Sequence, residues 1–149
     1  MLTHSHARSR PAEILLVEDS PADVRLVREA LKECAIPHRL TTIDNGKEAL
    51  AWLQREAHHA DAPRPDIILL DLNLPGLDGR RIAAAIRADA ALRHLPIIML
   101  TSSRVPHDVR ELYQIPVNCY IVKPLGFERF VAAVRATVEF WLGVATLPE

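Results

Sequence analysis

The sequence predicts a single α/β domain, in which helices cover both faces of a parallel sheet of five strands. Three observations support this prediction. Short, nearly continuous apolar runs, which are typical of strands buried on both faces, recur along the chain. A segment with helical spacing of apolar residues follows each run, so that strand and helix alternate five times. The length of 149 residues, 49% of them hydrophobic, suits one domain with a substantial core.

Composition excludes several classes of protein. The 18 basic and 19 acidic residues give a net charge of −1, which provides no basic surface for nucleic acid or for an anionic membrane. No apolar run approaches the roughly 20 residues needed to span a bilayer. Two cysteines, Cys34 and Cys119, are too few for a disulfide framework. We therefore expect a cytoplasmic protein whose partners include neither nucleic acid nor membrane.

The first half of the chain predicts a tail, two strands and two helices. Residues 1–11 predict a disordered polar tail, and the apolar run after it predicts the first strand. Ser20, Pro21 and Asp23 suit the N-cap, the first position and the first turn of a helix. The expected elements are a strand at 13–17, a helix at 21–34, a strand at 38–43 and a helix at 47–57.

The second half continues the alternation. An apolar run enclosed by the carboxylates Asp66 and Asp71 predicts the third strand, and the Pro-Gly pair that follows predicts a loop. Apolar residues at a period of 3.6 predict a long amphipathic helix near the C-terminus. The expected elements are strands at 66–71, 96–101 and 117–122, and helices at 80–90, about 106–113 and 127–142.

Polar residues with functional chemistry stand at the ends of four of the five predicted strands. They are Glu18 and Asp19 after the first strand, Asp71 at the third, Thr101 at the fourth and Lys123 after the fifth. In a parallel sheet the carboxyl ends of the strands share one edge, where ligands bind. Each residue alone also has a structural explanation, such as capping a helix or closing a strand. Their joint occurrence at one edge therefore predicts a functional site.

The residue types at this edge together predict the kind of reaction that the site supports. Glu18, Asp19 and Asp71 would repel one another, which either raises pKa values or requires a cation. An oxygen-only ligand set suits Mg²⁺, which leaves room for a phosphoryl oxygen. A carboxylate nucleophile, a divalent ion, a lysine and a hydroxyl are the groups needed for phosphoryl transfer onto an aspartate.

With these residues, the chain resembles the receiver domain of bacterial two-component response regulators. The resemblance covers residues 12–142 and is carried by four motifs: LLVEDS at 15–20, LLDLNLPGLDG at 69–79, LTS at 100–102 and KP at 123–124. It implies a doubly wound (βα)5 flavodoxin-like domain with a sheet of order 2-1-3-4-5. It also implies that Asp71 accepts a phosphoryl group from a phosphohistidine of a sensor histidine kinase.

The resemblance implies roles for further residues. The backbone carbonyl of Asn73 would join Glu18, Asp19 and Asp71 around Mg²⁺. Thr101 and Lys123 would bind the phosphoryl group, and Tyr120 would be the aromatic residue that changes rotamer with the threonine. Ser102 stands where many receivers have Ala or Gly, and is still small enough for phosphate access. The bond before Pro124 is cis in many relatives.

A narrower resemblance, to single-domain regulators paired with bacterial phytochromes, rests on TSS at 101–103, VNCYI at 117–121 and FWL at 140–142. It implies a light-responsive kinase as phosphodonor, and often a homodimer through the fourth helix, fifth strand and fifth helix. Residues 143–149 would be a short extension with no room for a DNA-binding domain. We therefore expect output through protein contact, phosphate relay or a phosphate sink. The apolar FWL run would be covered by a partner or by that extension.

Other functions remain open at this point. A flavodoxin-like carrier of FMN shares the fold, but needs a phosphate-cradling loop where this chain has Glu18 and Asp19. A phosphohydrolase of the haloacid-dehalogenase type also uses an aspartate nucleophile, but Asn73 replaces its second acid. Metal binding by His4, His6, His58 and His59 is a further alternative, although their irregular spacing is more typical of a solvated tail and loop.

Overall fold

The structure is a computed structural model that describes residues 10–102, 114–115, 117–123 and 126–148. Five strands form its sheet: β1 (Ala12–Val17), β2 (His38–Ile43), β3 (Ile67–Asp71), β4 (Ile97–Thr101) and β5 (Cys119–Val122). The described helices are α1 (Pro21–Lys32), α2 (Gly46–Leu53), α3 (Gly79–Ala88) and the C-terminal helix (Phe127–Glu139). A 3-10 turn (Ala57–His59) follows α2, and a π-helical segment (Phe140–Val144) follows the C-terminal helix.

The strands form one parallel sheet of order β2-β1-β3-β4-β5. This order confirms the predicted doubly wound, flavodoxin-like fold. The order reverses direction between β1 and β3, which are neighbours in the sheet. A crevice forms at such a reversal, outside the carboxyl ends of the strands. The fold therefore places the end of β3 at the centre of the edge where ligands are expected.

Both faces of the sheet are packed against helices, which explains why the central strands β1, β3 and β4 are largely apolar and fully buried, whereas the edge strand β2 is more polar. Successive side chains of a strand point to opposite faces, so alternate residues enter two different cores. Leu15, Leu70 and Met99 belong to the core beneath α2 and α3, whereas Leu16, Leu69 and Leu100 belong to the core beneath α1 and the C-terminal helix. A strand buried on both sides needs no polar face.

Side chains at the N-cap position begin the first three helices. Ser20, Asn45 and Asp78 each accept a hydrogen bond from the backbone N–H three residues further on, at 3.3, 2.8 and 3.1 Å. Such a cap contributes about 1 kcal/mol to stability. The caps of α1 and α3 lie in the loops after β1 and β3, so they also fix where those loops turn.

The prediction placed the end of the second helix too far along the chain. We expected a helix over 47–57, but α2 ends at Leu53 and a separate turn follows at Ala57–His59. Arg55 and Ala57 have φ angles of 57° and 54°, in the left-handed region that a right-handed helix cannot include. Neither residue is a glycine, so composition gave no indication of this break.

Smaller differences concern the other elements. The third helix begins at Gly79 and ends at Ala88, two residues before its predicted end. The fifth strand begins at Cys119 rather than 117, and the side chain of Asn118, directly before it, accepts from the N–H of Ile97 at 2.7 Å. The C-terminal helix changes to π-helical geometry at Phe140. The predicted helix at about 106–113 and the tail residues 1–9 lie outside the described residues.

Within the described part of the chain, no helix has both the length and the apolar character needed to cross a membrane.

Candidate functional site

Three carboxylates converge at the carboxyl edge of the sheet. Glu18 and Asp19 follow β1, and Asp71 is the last residue of β3; one oxygen of each lies within 4.8 Å of the others. Glu18 is 2% exposed and Asp71 is 4% exposed, whereas Asp19 is exposed to solvent. The sheet topology thus brings together the three acids predicted from the strand ends.

Backbone groups hold two of these acids in place. The N–H of Ser20 donates to Oε1 of Glu18 at 3.1 Å, and the N–H of Asn73 donates to Oδ1 of Asp71 at 3.4 Å. Both donors belong to the loop that follows the acid itself. The orientation of each carboxylate is therefore tied to the path of its own loop.

Gly79 allows α3 to begin close to the end of β3. Its N–H donates to the carbonyl oxygen of Leu72 at 3.0 Å. A Cβ atom at this position would lie 2.6 Å from the carbonyl oxygen of Asp71 and 2.9 Å from the Cα of Leu72. These distances are shorter than real side chains tolerate, so only glycine permits this packing. The sequence predicts Gly79 only as the end of the loop before a helix at 80–90, and its local pattern gives no indication of this close packing.

Lys123 joins the carboxylate cluster from the end of β5. Its Nζ atom donates to Oδ2 of Asp23 at 2.8 Å and to Oε2 of Glu18 at 3.0 Å, and lies 3.5 Å from Oδ1 of Asp71. The lysine side chain is 16% exposed. A single ammonium group therefore partly compensates several carboxylates in a largely buried setting.

Burial changes the acid–base properties of this cluster. Burial raises the pKa of Glu18 to about 7, against the hydrogen bond and positive charge of Lys123, which lower it. Burial alone would lower the pKa of Lys123, but hydrogen bonds to Asp23 and Glu18 and the charge of Asp71 outweigh it, so this pKa is raised. The lysine consequently stays charged near neutral pH, whereas Glu18 is close to half-ionised.

Thr101 and Tyr120 lie on the neighbouring strands β4 and β5. Thr101 is the last residue of β4 and is fully buried, and its carbonyl oxygen accepts from the N–H of Lys123 at 2.6 Å. Tyr120 is half-buried, pairs with Met99 across the sheet, and packs against the core beneath α2 and α3. Thr101 thus ends the strand next to β5, and Tyr120 lies on β5 itself, three residues before Lys123.

Two of the remaining predicted residues, Asn73 and Ser102, lie at the rim of the site. Asn73 and Ser102 are exposed directly after Leu72 and Thr101. Pro124, predicted to follow a cis bond, lies outside the described residues.

Asp23 is the site residue that sequence reasoning missed. The sequence pattern predicts Asp23 only as an acid in the first turn of a helix, yet of the described contacts of the Lys123 ammonium group its contact is the shortest. The available signal was its position in the first turn of α1, directly after the loop that carries Glu18 and Asp19.

The chain belongs to the response regulator receiver domain family. The family model for the "Response regulator receiver domain" matches residues 14–135, which is most of the chain. This match agrees with the flavodoxin-like fold and with the acids, threonine and lysine at the carboxyl edge. The FMN carrier and the phosphohydrolase are therefore not the class to which the chain belongs.

Individual relatives point to a narrower group. Response regulator Rcp1 of Synechocystis sp. is 44% identical over 138 residues, covering 93% of this chain and 94% of the relative. The crystal structure of the phosphorylated cyanobacterial phytochrome response regulator RcpA superposes with a TM-score of 0.88 at 44% identity, over 94% of this chain and all of that one. The Mn²⁺-bound form of Rcp1 superposes with a TM-score of 0.87 at 43% identity, over 93% and 100%. The chain is thus related to phytochrome response regulators.

Proposed function

We propose that the chain accepts a phosphoryl group on Asp71 from a sensor histidine kinase and alters its binding surface in response. The observation that carries the proposal is the setting of Asp71. Its buried carboxylate ends the central strand, 3.5 Å from the ammonium of Lys123 and within 4.8 Å of two further acids. A nucleophile, a set of cation ligands and a fixed positive charge therefore meet at one point.

The carboxylates would hold Mg²⁺. Glu18, Asp19 and Asp71 offer only oxygen atoms, the ligands that this ion prefers, and the backbone carbonyl of Asn73 would complete the protein's share of the shell. A Mn²⁺-bound structure of a relative supports a divalent ion in this acidic pocket. When bound, the ion would neutralise negative charge on the phosphoryl oxygens.

The proposed reaction is a transfer between two side chains. A carboxylate oxygen of Asp71 forms a bond to phosphorus while the phosphorus–nitrogen bond of the donor phosphohistidine breaks. The imidazole nitrogen keeps the electron pair of the broken bond and then takes up a proton. Lys123 would bind a phosphoryl oxygen as a point charge, and the hydroxyl of Thr101 would donate to another. Each cycle phosphorylates and dephosphorylates one molecule, so the protein acts as a phosphoacceptor rather than as a turnover enzyme.

The response would be a shift between two existing conformations. A phosphoryl group that contacts Thr101 only in the active conformation favours that conformation. Val122 of β5 pairs with Thr101 across the sheet, and Tyr120 stands two residues before Val122. We infer that Tyr120 changes rotamer with Thr101, as the family resemblance implies, and that Ser102 leaves space for the phosphoryl group.

The phytochrome relatives suggest the source of the phosphoryl group. We infer that the phosphodonor is a bacteriophytochrome kinase in the cytoplasm, and that residues 12–142 form the receiver unit. We also infer a homodimer through the predicted helix at about 106–113, β5 and the C-terminal helix. Exposed apolar side chains beside β5 support this surface: Phe140 is 51% exposed and borders a groove with Cys119 and Trp141.

Intact mass spectrometry tests the phosphoacceptor directly. The protein would be incubated with Mg²⁺ and acetyl phosphate beside the Asp71→Asn variant. We expect one phosphoryl adduct on the wild type, its loss when Mg²⁺ is chelated, and none on the variant. An adduct that persists in Asp71→Asn would reject Asp71 as the acceptor. If acetyl phosphate modifies neither protein, both are tested again with a phosphorylated phytochrome kinase as the phosphodonor. If the wild type is still not modified, the proposal is rejected.

A further inference from the structure

A second cluster of ligand-type side chains lies outside the acidic site, where the 3-10 turn folds back on α2. Its members are Glu48 of α2 and the adjacent His58 and His59 of the turn, and one ligand atom of each lies within 4.8 Å of the others. Nε2 of His59 contacts Oε2 of Glu48, and Nε2 of His58 lies 3.6 Å from the same oxygen. Two imidazole nitrogens therefore converge on one carboxylate.

We propose that these three residues bind a divalent transition-metal ion, with Zn²⁺ as the ion that best fits them. Two histidines and one carboxylate form a recognised zinc ligand set, which leaves a fourth position for water. In a tetrahedral site with bonds of about 2.0–2.1 Å, the ligand atoms lie about 3.4 Å apart. The 3.6 Å between Nε2 of His58 and Oε2 of Glu48 is close to that spacing, whereas Nε2 of His59, in direct contact with the same oxygen, must move outward to admit the ion.

The scaffold of the cluster is fixed before any ion binds. Glu48 is anchored in the first turn of α2, where its N–H donates to Oδ1 of Asn45 at 2.8 Å. Across the turn, Nε of Arg55 donates to the carbonyl oxygen of Ala62 at 3.0 Å. These bonds hold the backbone from which the ligand side chains extend, which favours affinity.

An unusual backbone conformation brings the histidines over the helix. Ala57, directly before His58, has a φ angle of 54°, and Arg55 has one of 57°. Non-glycine residues rarely adopt this region, and such strain is concentrated at ligand sites and clamps. The irregular spacing of His58 and His59 made a solvated loop the more typical interpretation of the sequence, with metal binding as an alternative; the backbone reversal produces the convergence.

The two clusters are expected to take different ions. The site at Glu18, Asp19 and Asp71 offers only oxygen, which suits Mg²⁺, whereas imidazole nitrogen favours Zn²⁺. Excess Mg²⁺ can therefore fill the acidic site while Zn²⁺ is titrated. Because the two sites prefer different ions, zinc binding at the proposed site can be measured independently of phosphorylation.

The test is a Zn²⁺ titration of the full chain in excess Mg²⁺, with bound zinc counted by elemental analysis after gel filtration. We expect one zinc ion per wild-type chain. The His58→Ala, His59→Ala double variant should lose at least about tenfold in affinity, since even an outer-shell change commonly costs that much. Replacing Zn²⁺ by Co²⁺ should give the visible absorption bands of a tetrahedral ion.

The matched control replaces the other paired histidines, His4 and His6, by alanine and should retain full zinc binding. Circular dichroism checks the fold of each variant; if the double variant is unfolded, His58→Asn replaces it, because His58 is 77% exposed. The proposal is overturned if the wild type binds no zinc under these conditions. It is equally overturned if the His4 and His6 variant loses the ion while the His58 and His59 variant keeps it.

Discussion

Glu18 combines a buried carboxylate with a predicted role in binding a cation, and these two properties interact. Its pKa of about 7 means that a proton occupies it in much of the population near neutral pH. A metal ion binds only the deprotonated ligand, so ion and proton compete for this side chain. The affinity of the acidic site for Mg²⁺ should therefore depend on pH in a range where ordinary carboxylates would have no effect.

We predict that Mg²⁺ binds about tenfold more weakly at pH 6 than at pH 8, because one proton with a pKa near 7 must be displaced at the lower pH. Isothermal titration calorimetry in two buffers of different ionisation enthalpy measures both the affinity and the released proton. Glu18→Gln should bind more weakly at both pH values but without this dependence. Equal wild-type affinity at pH 6 and pH 8 would contradict the prediction.

The same residue should make the metal-free protein less stable as pH rises. Between the ordinary value of 4.5 and the folded value of about 7, the folded state binds more protons than the unfolded state. The free energy of unfolding should therefore fall across this interval and level off above it. Urea denaturation at several pH values, without divalent ions, measures the slope. Glu18→Gln should have a shallower slope; an identical slope in both proteins would show that Glu18 is not responsible.

Asp23 illustrates which parts of the site the sequence could reveal. Asp71 and Lys123 were predicted because the ends of parallel strands meet at one edge, a consequence of topology alone. Asp23 sits on a helix, and its contact with Lys123 depends on how far the lysine side chain extends and turns. Side-chain conformation of that kind cannot be inferred from strand order.

We predict that Asp23→Asn lowers the free energy of unfolding by about 1–2 kcal/mol, since a hydrogen bond between charged, partly buried groups is lost. Chemical denaturation at pH 7 measures the change. Asp61→Asn, at an exposed loop position, should stay within about 0.5 kcal/mol of wild type. When Lys123 is replaced by Met in the wild type and in Asp23→Asn, the two proteins should have the same free energy of unfolding. A difference that persists in this background would mean that another contact of Asp23 causes the loss of stability.

At the scale of elements, the sequence predicted the described strands and helices but not every boundary. Strand positions followed from apolar runs, since burial on both faces leaves a strong pattern. The end of α2 could not be predicted in this way, because Arg55 and Ala57 adopt left-handed backbone angles and no glycine or proline marks the end of the helix. Tertiary contacts of the turn, such as the bond from Arg64 to the carbonyl oxygen of Leu53 at 2.6 Å, are not encoded in local pattern.

The junction of β3 and α3 gives a prediction at this scale. Gly79→Ala should destabilise the protein by about 1–3 kcal/mol and slow phosphorylation of Asp71, because the added methyl group must push back the backbone after that residue. Thermal unfolding and the rate of adduct formation with acetyl phosphate measure the two effects. Gly143→Ala is the matched control, since its Cβ would meet only the end of the Ile36 side chain, at 3.0 Å. Equal behaviour of the two variants would contradict the close packing described at Gly79.

At the scale of the whole molecule, the apolar residues after the C-terminal helix are divided between core and surface. Leu142 is 5% exposed and lies in the core beneath α1, and Trp141 packs partly against it. Phe140 points elsewhere: it is 51% exposed and meets the Trp141 ring edge-on, at 5.8 Å between ring centres. The sequence left open whether a partner or the chain's own extension covers this run. In the structure Leu142 is buried in the core, whereas Phe140 remains exposed. Within this run of three residues, Phe140 is the one whose side chain is available to a second copy.

If the proposed homodimer uses this surface, Phe140→Ser should weaken self-association by at least about tenfold, since a large aromatic side chain would no longer be buried on binding. Sedimentation equilibrium across a range of concentrations measures the dissociation constant, with and without phosphorylation. Phe127→Ser is the control, because Phe127 is similarly exposed at 55% but stands at the opposite end of the C-terminal helix. Equal losses in both variants would indicate nonspecific apolar contact. Unchanged association in Phe140→Ser would remove this residue from the interface and leave the predicted helix at about 106–113, β5 and the rest of the C-terminal helix as candidates for the contact.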